Sequence, residues 1–450
     1  MDTSAVFKAY DIRGTYPDQI DEDLARAVGS AFATFVAMPQ ILVARDMRPS
    51  GVSLSHAFGE GARAVGVEVV DLGLASTDFL YFATGYIDAP GAMFTASHNP
   101  AQYNGIKLCR AGAKPVGVDT GLGEIAELTE SFYAQPAEGV LAPLVQRDLI
   151  DEWVDHVHSF VDVSSLRRLK IVADTANGMG GYVVPRVFSS LPFDVEILFP
   201  ELDGTFPNHP ADPINPENLV DLQRRVLEVG ADIGLAFDGD ADRVFLIDEK
   251  AQLISGSTTT AMVAAAMLGR NPGATILYNL ICSRSVPEVI DEFGGVGVRT
   301  RVGHSYIKQV MAETGAVFGG EHSGHYYYRD NYRADSGIIT ALVVLELLSQ
   351  THQPLSELVE PFDRYAASGE INTQVASPSA TVAALSSTMR EQGTNVDELD
   401  GLTVEYDTWW FNLRPSNTEP LLRLNVEAED TAACAVHVRE VLDLIEGAQP

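Results

Sequence analysis

Short apolar segments that alternate with amphipathic segments run through most of the chain and restrict it to a layered α/β fold. Residues 21–37 place apolar side chains at helical spacing and begin with acids suited to a helix N-terminus. The apolar segment QILVA follows, and strand and helix patterns continue to alternate up to GAMFTA and the returning segment IKLC. This alternation predicts an α/β unit with a largely parallel sheet.

The same pattern recurs twice and then changes. A second unit begins at LKIVADTANG, and a third begins near residue 251 and includes apolar helices at 257–269 and 335–349. Short strands and a helix at 431–446, capped by Asp430, then predict a smaller α+β domain. We therefore predict three related mixed α/β domains and a smaller C-terminal α+β domain, with the bounds 1–150, 151–250, 251–366 and 367–450.

Composition and charge exclude several classes of protein. The formal charge of -32 argues against nucleic acid and anionic membranes as partners, because such a chain gains little from counterion release. The longest strongly apolar helical stretch, 261–268, is far shorter than the roughly 20 residues of a membrane span. The start has no signal-peptide pattern, and the three widely spaced cysteines suggest neither a disulfide framework nor a zinc site. We predict a cytoplasmic protein.

The acidic loop DGDADR, which two apolar strands flank, is the first candidate site. Asp238, Asp240 and Asp242 stand at alternate positions, so an extended segment would point their carboxylates to one side, where they can hold a hard cation such as Mg²⁺. An EF-hand is a weak alternative, because Arg243 replaces the required glycine. A solvated acidic turn is the other alternative, but three acids in five residues repel one another without a cation.

The loop TASHNP is the second candidate site, and it leaves a predicted strand. Ser97, between small and turn-forming residues, is predicted to be exposed enough to be attacked, with His98 beside it. Lys107 on the returning strand could carry a proton or stabilise charge. By itself the motif is also good turn chemistry. A phosphorylated Ser97 would carry a charge of about -1.5 to -2 and could complete the coordination of a metal held by the three aspartates.

Two further loops have the chemistry of sugar and phosphate sites. In GGEHSGH the glycines permit close backbone approach, and Glu321 and Ser323 offer an acceptor and a donor for vicinal hydroxyls, with His325 beside them. In RPSNT an arginine stands with hydroxyl and amide donors, as a phosphate dianion requires; the residues are Arg414, Ser416, Asn417 and Thr418. The alternative for GGEHSGH is a purely structural histidine, and the alternative for RPSNT is an ordinary polar turn.

Taken together, these motifs resemble the α-D-phosphohexomutase family, in its phosphomannomutase/phosphoglucomutase branch, over nearly the whole chain. The opening segment FKAYDIRG is similar to the family's N-terminal signature, and Gly303-His304-Ser305 to a sugar-contact segment. The resemblance implies four domains around a central cleft, with Tyr10 and Arg13 facing the active site. It further implies Ser97 as phosphoryl carrier, DGDADR as a magnesium loop and RPSNT as the site of the phosphate that is not transferred.

The mechanism that the resemblance implies consists of two phosphoryl transfers. Ser97 phosphate passes to a hexose 1- or 6-phosphate, the hexose 1,6-bisphosphate turns around, and its other phosphoryl group returns to Ser97. Arg13, Lys107 and Arg243 would offset charge together with Mg²⁺. His325 and Lys107 are the candidates for proton transfer, and the division between acid and base stays open.

Substrate and assembly are less constrained by the residues. DGDADR and GEHSGH favour mannose phosphate, with glucose phosphate as a further substrate, over a phosphoglucosamine mutase, while Ile281 stands where relatives often carry a lysine. A hexose-phosphate phosphatase and a noncatalytic phosphosugar sensor are the remaining alternatives. A monomer and a homodimer both fit the sequence.

Overall fold

The computed structural model describes residues 3–415 and 421–448, which form two compact units. The first unit contains the chain up to residue 255 together with 311–317 and 323–358, and the second contains the remainder. The sequence prediction of four domains by residue range remains a prediction.

The described residues contain 14 α-helices, four short 3-10 helices and 22 strands. The helices are α1 Glu22–Val36, α2 Pro49–Ala64, α3 Thr77–Ile87, α4 Leu122–Ala134, α5 Ile150–His158, α6 Gly180–Phe188, α7 Val220–Val229, α8 Gly256–Arg270, α9 Ser285–Glu292, α10 His304–Thr314, α11 Gly337–Gln350, α12 Leu355–Val359, α13 Pro378–Glu391 and α14 Thr431–Gly447. The strands are β1 Ile12–Thr15, β2 Gln40–Arg45, β3 Glu68–Leu74, β4 Gly91–Phe94, β5 Tyr103–Arg110, β6 Lys114–Pro115, β7 Leu144–Gln146, β8 Lys170–Asp174, β9 Asp194–Leu198, β10 Ile233–Phe237, β11 Val244–Ile247, β12 Leu253–Ile254, β13 Thr275–Asn279, β14 Val296–Thr300, β15 Phe318–Gly320, β16 Tyr326–Tyr328, β17 Ala366–Ala367, β18 Ile371–Gln374, β19 Val396–Asp397, β20 Leu402–Glu405, β21 Trp409–Pro415 and β22 Leu421–Ala428.

The first sheet is mixed rather than largely parallel, and this difference places the serine loop. Its main order is β1-β5-β4-β2-β3-β7, with parallel pairing among β4, β2, β3 and β7 and antiparallel pairing of β5 with β4 and β1. The loop 95–102 between β4 and β5 is too short for the crossover of a dozen or more residues that a parallel pair needs. The chain therefore returns as a hairpin, with Ser97 in its loop.

The second sheet repeats this arrangement and places the acidic loop. Its order is β12-β11-β10-β8-β9, with β8, β9 and β10 parallel and β11 antiparallel to β10. Both β10 and β11 are buried along their whole length, as the unbroken apolar segments predict. The loop 238–243 therefore begins and ends on two fixed strands.

The core beneath the serine loop is aromatic and tightly buried. Phe58 of α2 packs edge-to-face on Phe94 at the end of β4, with ring centroids 5.5 Å apart, and both side chains are fully buried. Phe32 of α1 also packs against Phe58, with ring centroids 6.2 Å apart. Asp21 caps α1 by accepting a hydrogen bond from the Leu24 amide, as the acidic start of that segment predicts.

The second unit consists of a parallel sheet and an antiparallel one. β13 pairs in parallel with β14 and β15, whereas β17 and β18 pair with β22 in the antiparallel order β22-β21-β20-β19. The Arg284 guanidinium donates to backbone carbonyls of Tyr406, Asp407 and Trp409, and its amide donates to Glu427. Through these contacts the segment that follows β13 binds the antiparallel sheet within this unit.

Two sequence predictions about the whole chain can be compared with the helices and cysteines. Among the helices of residues 3–415 and 421–448, none combines the length and the apolarity that crossing a membrane requires. Cys109, Cys282 and Cys434 are free thiols, and all three are buried.

One buried carboxyl group joins distant parts of the first unit. Asp78, in the first turn of α3, accepts a hydrogen bond from Ser76 and another from Ser336, whose Oγ lies 2.6 Å from Asp78 Oδ2. Ser336 also caps α11 by accepting from the Ile339 amide. Burial, with a smaller contribution from the charge of Asp242, raises the pKa of Asp78 to about 7.

The raised pKa of Asp78 predicts a pH-dependent stability. Since its folded pKa lies above the value of about 3.9 for an unfolded aspartate, its contribution is fully present below about pH 4 and is lost as the pH rises through about 7. Unfolding free energy should therefore fall by up to about 1.4 kcal/mol per pH unit across this window. Asp78→Asn should remove that slope, so that its Tm relative to the unsubstituted protein rises between pH 4 and 7.

The measurement is thermal unfolding at pH 4.5, 6 and 7.5 at one fixed Mg²⁺ concentration. Asp119→Asn, at an exposed aspartate, is the control for the substitution itself. A Tm difference for Asp78→Asn that stays constant over the three pH values would contradict the prediction.

Candidate active site

Ser97 lies in the β4–β5 loop with its hydroxyl directed at the acidic loop. Ser97 Oγ donates to Asp238 Oδ2 at 2.8 Å and lies 3.2 Å from His98 Nδ1. Its backbone is in the left-handed region, with φ 49°, and its amide donates to Thr95 Oγ1. Ser97 is only 5% exposed. The prediction of an exposed serine is wrong in this structure, because the hydroxyl points inward at the aspartates.

The three aspartates of the acidic loop converge, although by a different route from the predicted one. One carboxylate oxygen of each of Asp238, Asp240 and Asp242 lies within 4.8 Å of the others, and all three residues are buried. The segment is a turn rather than extended: Ala241 has φ 59° and its amide donates to the Asp238 carbonyl. The curvature of this turn brings the carboxylates together.

The serine loop leaves no room for a side chain at Gly239 of the acidic loop. A Cβ on Gly239 would lie 2.4 Å from the Ser97 carbonyl oxygen and 3.2 Å from the Ser97 carbonyl carbon, which real side chains do not tolerate. The two loops therefore contact each other through backbone at this point.

Two cations, the buried Arg243 and the partly buried Lys107, balance the aspartates. Lys107 Nζ, from β5, donates to Asp240 Oδ2 at 2.8 Å and to Asp242 Oδ2 at 2.7 Å. Arg243 Nε donates to Asp238 Oδ2 at 2.9 Å, so this oxygen accepts from both Arg243 and Ser97. Thr77 Oγ1 also donates to Asp240 Oδ2.

These contacts perturb the pKa values of the cluster in opposite directions. Burial raises the pKa of Asp238 well above its usual value, although Arg243 opposes the shift. Burial also acts on Asp240, but Lys107 outweighs it and holds the pKa of Asp240 well below the usual range. The two aspartates in turn overcome burial and raise the pKa of Lys107, which therefore stays protonated.

The pKa of His98, unlike that of Lys107, is shifted towards the neutral form. Burial, reinforced by the positive charges of Arg243 and Arg13, lowers the pKa of His98 well below its usual value. A neutral imidazole beside Ser97 Oγ results at neutral pH.

The carboxylates retain capacity for a metal ion. Asp240 Oδ1 and Asp242 Oδ1 are buried without a hydrogen-bond partner in the described part of the chain. An unsatisfied buried carboxylate oxygen is costly, and a hard cation with oxygen ligands removes that cost. The residues present thus fit a Mg²⁺ ion.

Arg13 and Tyr10 lie at the start of the chain, on and before β1. Arg13 donates from Nη1 to Asn99 Oδ1 in the serine loop and from Nε to Asp11 Oδ2 at 3.0 Å. Arg13 is thereby brought to the loop of Ser97. Tyr10 is half-buried in the bend that precedes the strand.

The histidine of the predicted sugar loop lies beside the metal loop. His325 bridges to the backbone of Arg243, and its Nε2 lies 3.8 Å from Asp242 Oδ1 and 4.0 Å from Asp335 Oδ2. Its Nδ1 lies 3.1 Å from Ser323 Oγ. The first unit therefore brings His325 and Ser323 to the aspartates and the serine.

The remaining predicted residues belong to the second unit or lie outside the described residues. Glu321 is buried, and its Oε1 accepts from Asn279 Nδ2 at 3.2 Å and from the Gly303 amide at 3.1 Å. His304 begins α10, and its side chain lies outside the description. Ser416, Asn417 and Thr418 also lie outside the described residues.

Arg414 has a partner that sequence reasoning missed. Arg414 on β21 stands directly opposite Arg423 on β22, and Glu370 contacts both, at 2.9 Å and 3.4 Å respectively. Two arginines that share one carboxylate keep one net positive charge at the start of the RPSNT segment. Arg423 lies nine residues beyond Arg414 in the segment LLRLNVE, which the sequence interpretation treated only as a strand.

Thr77 and Asp335 are further site residues that no motif indicated. Thr77 contacts Asp240, and Asp335 faces His325, yet each stands in an ordinary helix-start pattern in the sequence. Only the tertiary structure brings them to the aspartate loop.

Comparison with known proteins agrees with this arrangement over the whole chain. Four families match in order, described as phosphoglucomutase/phosphomannomutase alpha/beta/alpha domains I, II and III and the C-terminal domain, over residues 4–133, 151–252, 255–365 and 370–444. The chain belongs to the phosphoglucomutase/phosphomannomutase family. It is accordingly a phosphohexomutase, an isomerase, with the mixed α/β domains and smaller C-terminal domain that the sequence predicted.

Individual members of the phosphoglucomutase/phosphomannomutase family align with it from end to end. A protein of Xanthomonas campestris named "Phosphohexose mutases" is 40% identical over 448 residues, which cover 99% of this chain and 100% of that one. A phosphomannomutase of Salmonella montevideo is 39% identical, with 99% and 100% covered. A crystal structure of a family protein from Burkholderia thailandensis superposes with a TM-score of 0.90 at 33% identity, covering 100% of this chain and 99% of that one.

Proposed function

We propose that this phosphohexomutase interconverts hexose 1-phosphate and hexose 6-phosphate through a phosphoserine at Ser97 and a hexose 1,6-bisphosphate. The observation that carries the proposal is the contact of Ser97 Oγ with Asp238, inside a cluster of three carboxylates and two cations. A hydroxyl held at a cation site can carry a phosphoryl group whose charge that site offsets.

The surroundings of Ser97 offer groups suited to a phosphoryl group. Arg243 Nη2 is buried and has no hydrogen-bond partner among the described residues, so it can donate to a phosphoryl oxygen. Mg²⁺, held by Asp238, Asp240 and Asp242 with Ser97, would neutralise charge on the transferring group when bound. Arg13 and Lys107 add positive charge on the serine-loop side.

The transfer requires one proton to leave the sugar hydroxyl. The ester bond between Ser97 Oγ and phosphorus breaks as the sugar oxygen bonds to phosphorus, and the hydroxyl proton passes to a base. We assign the base to His325, because the Lys107 ammonium is committed to Asp240 and Asp242 and its pKa is raised. His98, neutral and 3.2 Å from Ser97 Oγ, holds the serine hydroxyl when the phosphoryl group is absent.

Sugar and phosphate recognition are assigned to the other predicted loops. Glu321, Ser323 and His304 would bind sugar hydroxyls, with Tyr10 as a further contact. The phosphate that is not transferred would bind Arg414, Ser416, Asn417 and Thr418, and the pairing of Arg414 with Arg423 supports an anion site there. The arginine pair already binds one anionic group, the carboxylate of Glu370.

We propose mannose phosphate as the main substrate, with glucose phosphate as the second. The names of several relatives that cover the chain, among them phosphomannomutases of Salmonella montevideo and Escherichia coli, support mannose. Ile281, buried after β13, offers no charge to the sugar, so the choice between the two epimers falls on polar groups such as Glu321.

The decisive experiment supplies mannose, glucose and glucosamine 1-phosphates separately, with Mg²⁺ and a trace of hexose 1,6-bisphosphate, and measures the 6-phosphates formed. We expect the largest kcat/KM for mannose 1-phosphate, a smaller one for glucose and the smallest for glucosamine. Without the bisphosphate, enzyme whose Ser97 is unphosphorylated has no phosphoryl donor and should show no turnover. A preference for glucosamine 1-phosphate would overturn the substrate proposal, and release of free phosphate without isomer would indicate a phosphatase.

A further inference from the structure

A buried arginine lies behind the serine loop and binds its backbone at four points. Arg48 Nη2 donates to the carbonyl oxygens of Ser97 and Asn99, at 2.9 Å and 2.6 Å. Arg48 Nη1 donates to those of Pro100 and Tyr103, both at 2.9 Å. The Arg48 side chain is fully buried. One guanidinium therefore binds four backbone carbonyls between residues 97 and 103, the segment that contains the serine.

We propose that Arg48 is the positioning residue that holds Ser97 in its reactive geometry. The inference rests on the proposed function of Ser97 as phosphoryl carrier. Arg48 points at the carbonyl side of the loop, whereas Ser97 Oγ points to Asp238, so Arg48 acts on the transfer through the backbone.

The geometry requires an arginine. A guanidinium presents its donors in a fixed plane, and here both terminal nitrogens use two N–H groups each on carbonyls. A lysine ammonium has only three donors around a single point, and it cannot reach four acceptors spread from residue 97 to residue 103. Replacement of Arg48 by lysine should therefore keep the positive charge but lose at least one of the four hydrogen bonds to the loop carbonyls.

The arrangement also explains how the strained backbone of Ser97 persists. A non-glycine residue with φ 49° is strained, and such a conformation persists only where the surrounding contacts fix it. The Ser97 carbonyl is held by Arg48 and packed against Gly239, and its amide is held by Thr95. Arg48 is the charged member of this set, and it offsets carbonyl dipoles that would otherwise face one another.

Arg48 is itself fixed from two further sides. Its Nε lies 3.3 Å from Asp46 Oδ2, and both side chains are fully buried. Its guanidinium carbon lies 5.1 Å from the centroid of the Phe206 ring, a cation–π contact from the loop after β9. That loop approaches so closely that a Cβ on Gly204 would lie 2.6 Å from Arg48 Cα. The orientation of the guanidinium is thus set before any substrate binds.

The test compares Arg48→Lys with Arg45→Lys, a replacement at the half-buried last residue of β2, whose side chain has no hydrogen bond or ion pair among the described residues. We expect kcat of Arg48→Lys to fall about 10²-fold, since a shift of about 1 Å at a reacting group has that effect. KM for the hexose phosphate should change less than threefold, and so should the Mg²⁺ concentration for half-maximal activity. The rate at which labelled hexose 1,6-bisphosphate phosphorylates Ser97 should fall in parallel with kcat. Arg45→Lys should leave all four quantities unchanged.

A chemical rescue separates positioning from mere stability. The double substitution Asp46→Asn with Arg48→Ala avoids leaving a buried aspartate without its cation, and its folding is checked by Tm and circular dichroism. Added methylguanidinium should restore kcat of this folded variant at least tenfold, whereas methylammonium should not. If Arg48→Lys does not accumulate as folded protein, the methylguanidinium rescue of the double variant tests the proposal by itself.

Three results would overturn the proposal: unchanged kcat in Arg48→Lys, an equal loss in Arg45→Lys, or no rescue of the folded double variant. Failure of the proposed function gives a different pattern, because Ser97→Ala would then remain active and label from the bisphosphate would not appear on Ser97. The two failures are therefore distinguishable.

Discussion

Ser97→Ala is expected to lose roughly 10³-fold or more in kcat, because no other group can take over the phosphoryl transfer. The substitution removes one hydroxyl, which donates to Asp238 Oδ2 in the structure. Asp238 keeps its bond from Arg243, so the cluster should stay folded, and the three aspartates should still bind Mg²⁺ with only a modest loss of affinity from the missing serine oxygen. The measurements are steady-state kinetics, Mg²⁺ titration by calorimetry and labelling by hexose 1,6-bisphosphate followed by phosphopeptide mapping.

Ser189→Ala is the control for Ser97→Ala, since Ser189 is exposed and, among the described residues, its hydroxyl donates only to the Arg186 carbonyl. It should retain full activity and full labelling at Ser97. Full turnover by Ser97→Ala would rule out the phosphoserine mechanism. Loss of turnover together with loss of Mg²⁺ binding would instead show that the serine supports the metal site.

Asp240→Asn should be the second most damaging substitution. Asp240 Oδ2 accepts from Lys107 and Thr77, and its Oδ1 is buried and available to a cation. Asparagine keeps the shape but removes a charge from a buried site, and a bound cation contributes several kcal/mol to charge stabilisation. We expect a loss on the order of 10²–10³-fold in kcat and a Mg²⁺ requirement raised at least about tenfold.

Asp248→Asn, on the same hairpin, is the matched control for Asp240→Asn. Asp248 is also buried, and its Oδ1 accepts from the Lys250 and Gln252 amides, a role that asparagine can fill. Its Mg²⁺ requirement should be unchanged. An equal rise in both variants would mean that the effect comes from the fold of the hairpin.

The parts of the fold that could be predicted from sequence are those with a local cause. The helices at 21–37 and 431–446 have a capping aspartate and a clear apolar face, and the structure has them as α1 and α14. The strands around DGDADR are unbroken apolar segments and appear as β10 and β11. Edge strands such as β7, which is exposed at all three residues, carry no such pattern and were not predicted.

Some residues of the candidate site could also be predicted from local sequence, whereas others could not. Ser97 and the three aspartates stand in motifs whose chemistry is visible in the sequence, whereas Arg48 stands in the polar turn RDMRPSG, which appears ordinary. Its role depends on carbonyl groups up to 55 residues away. The exposure of Ser97 was mispredicted for a related reason, since turn chemistry does not indicate which side of a loop another domain covers.

The chain order of the first unit has a consequence for synthesis on the ribosome. Asp78 and Ser336, whose side chains bond in the folded protein, are 258 residues apart. At about 5–20 residues per second, roughly 10–50 s pass between the emergence of the two. By the end of that interval the nascent chain has both the serine loop and the aspartate loop but still lacks α11, which packs on β11 next to the aspartate loop. A chain terminated before residue 323 would lack this partner permanently, so truncated products should be preferred substrates for quality-control proteases.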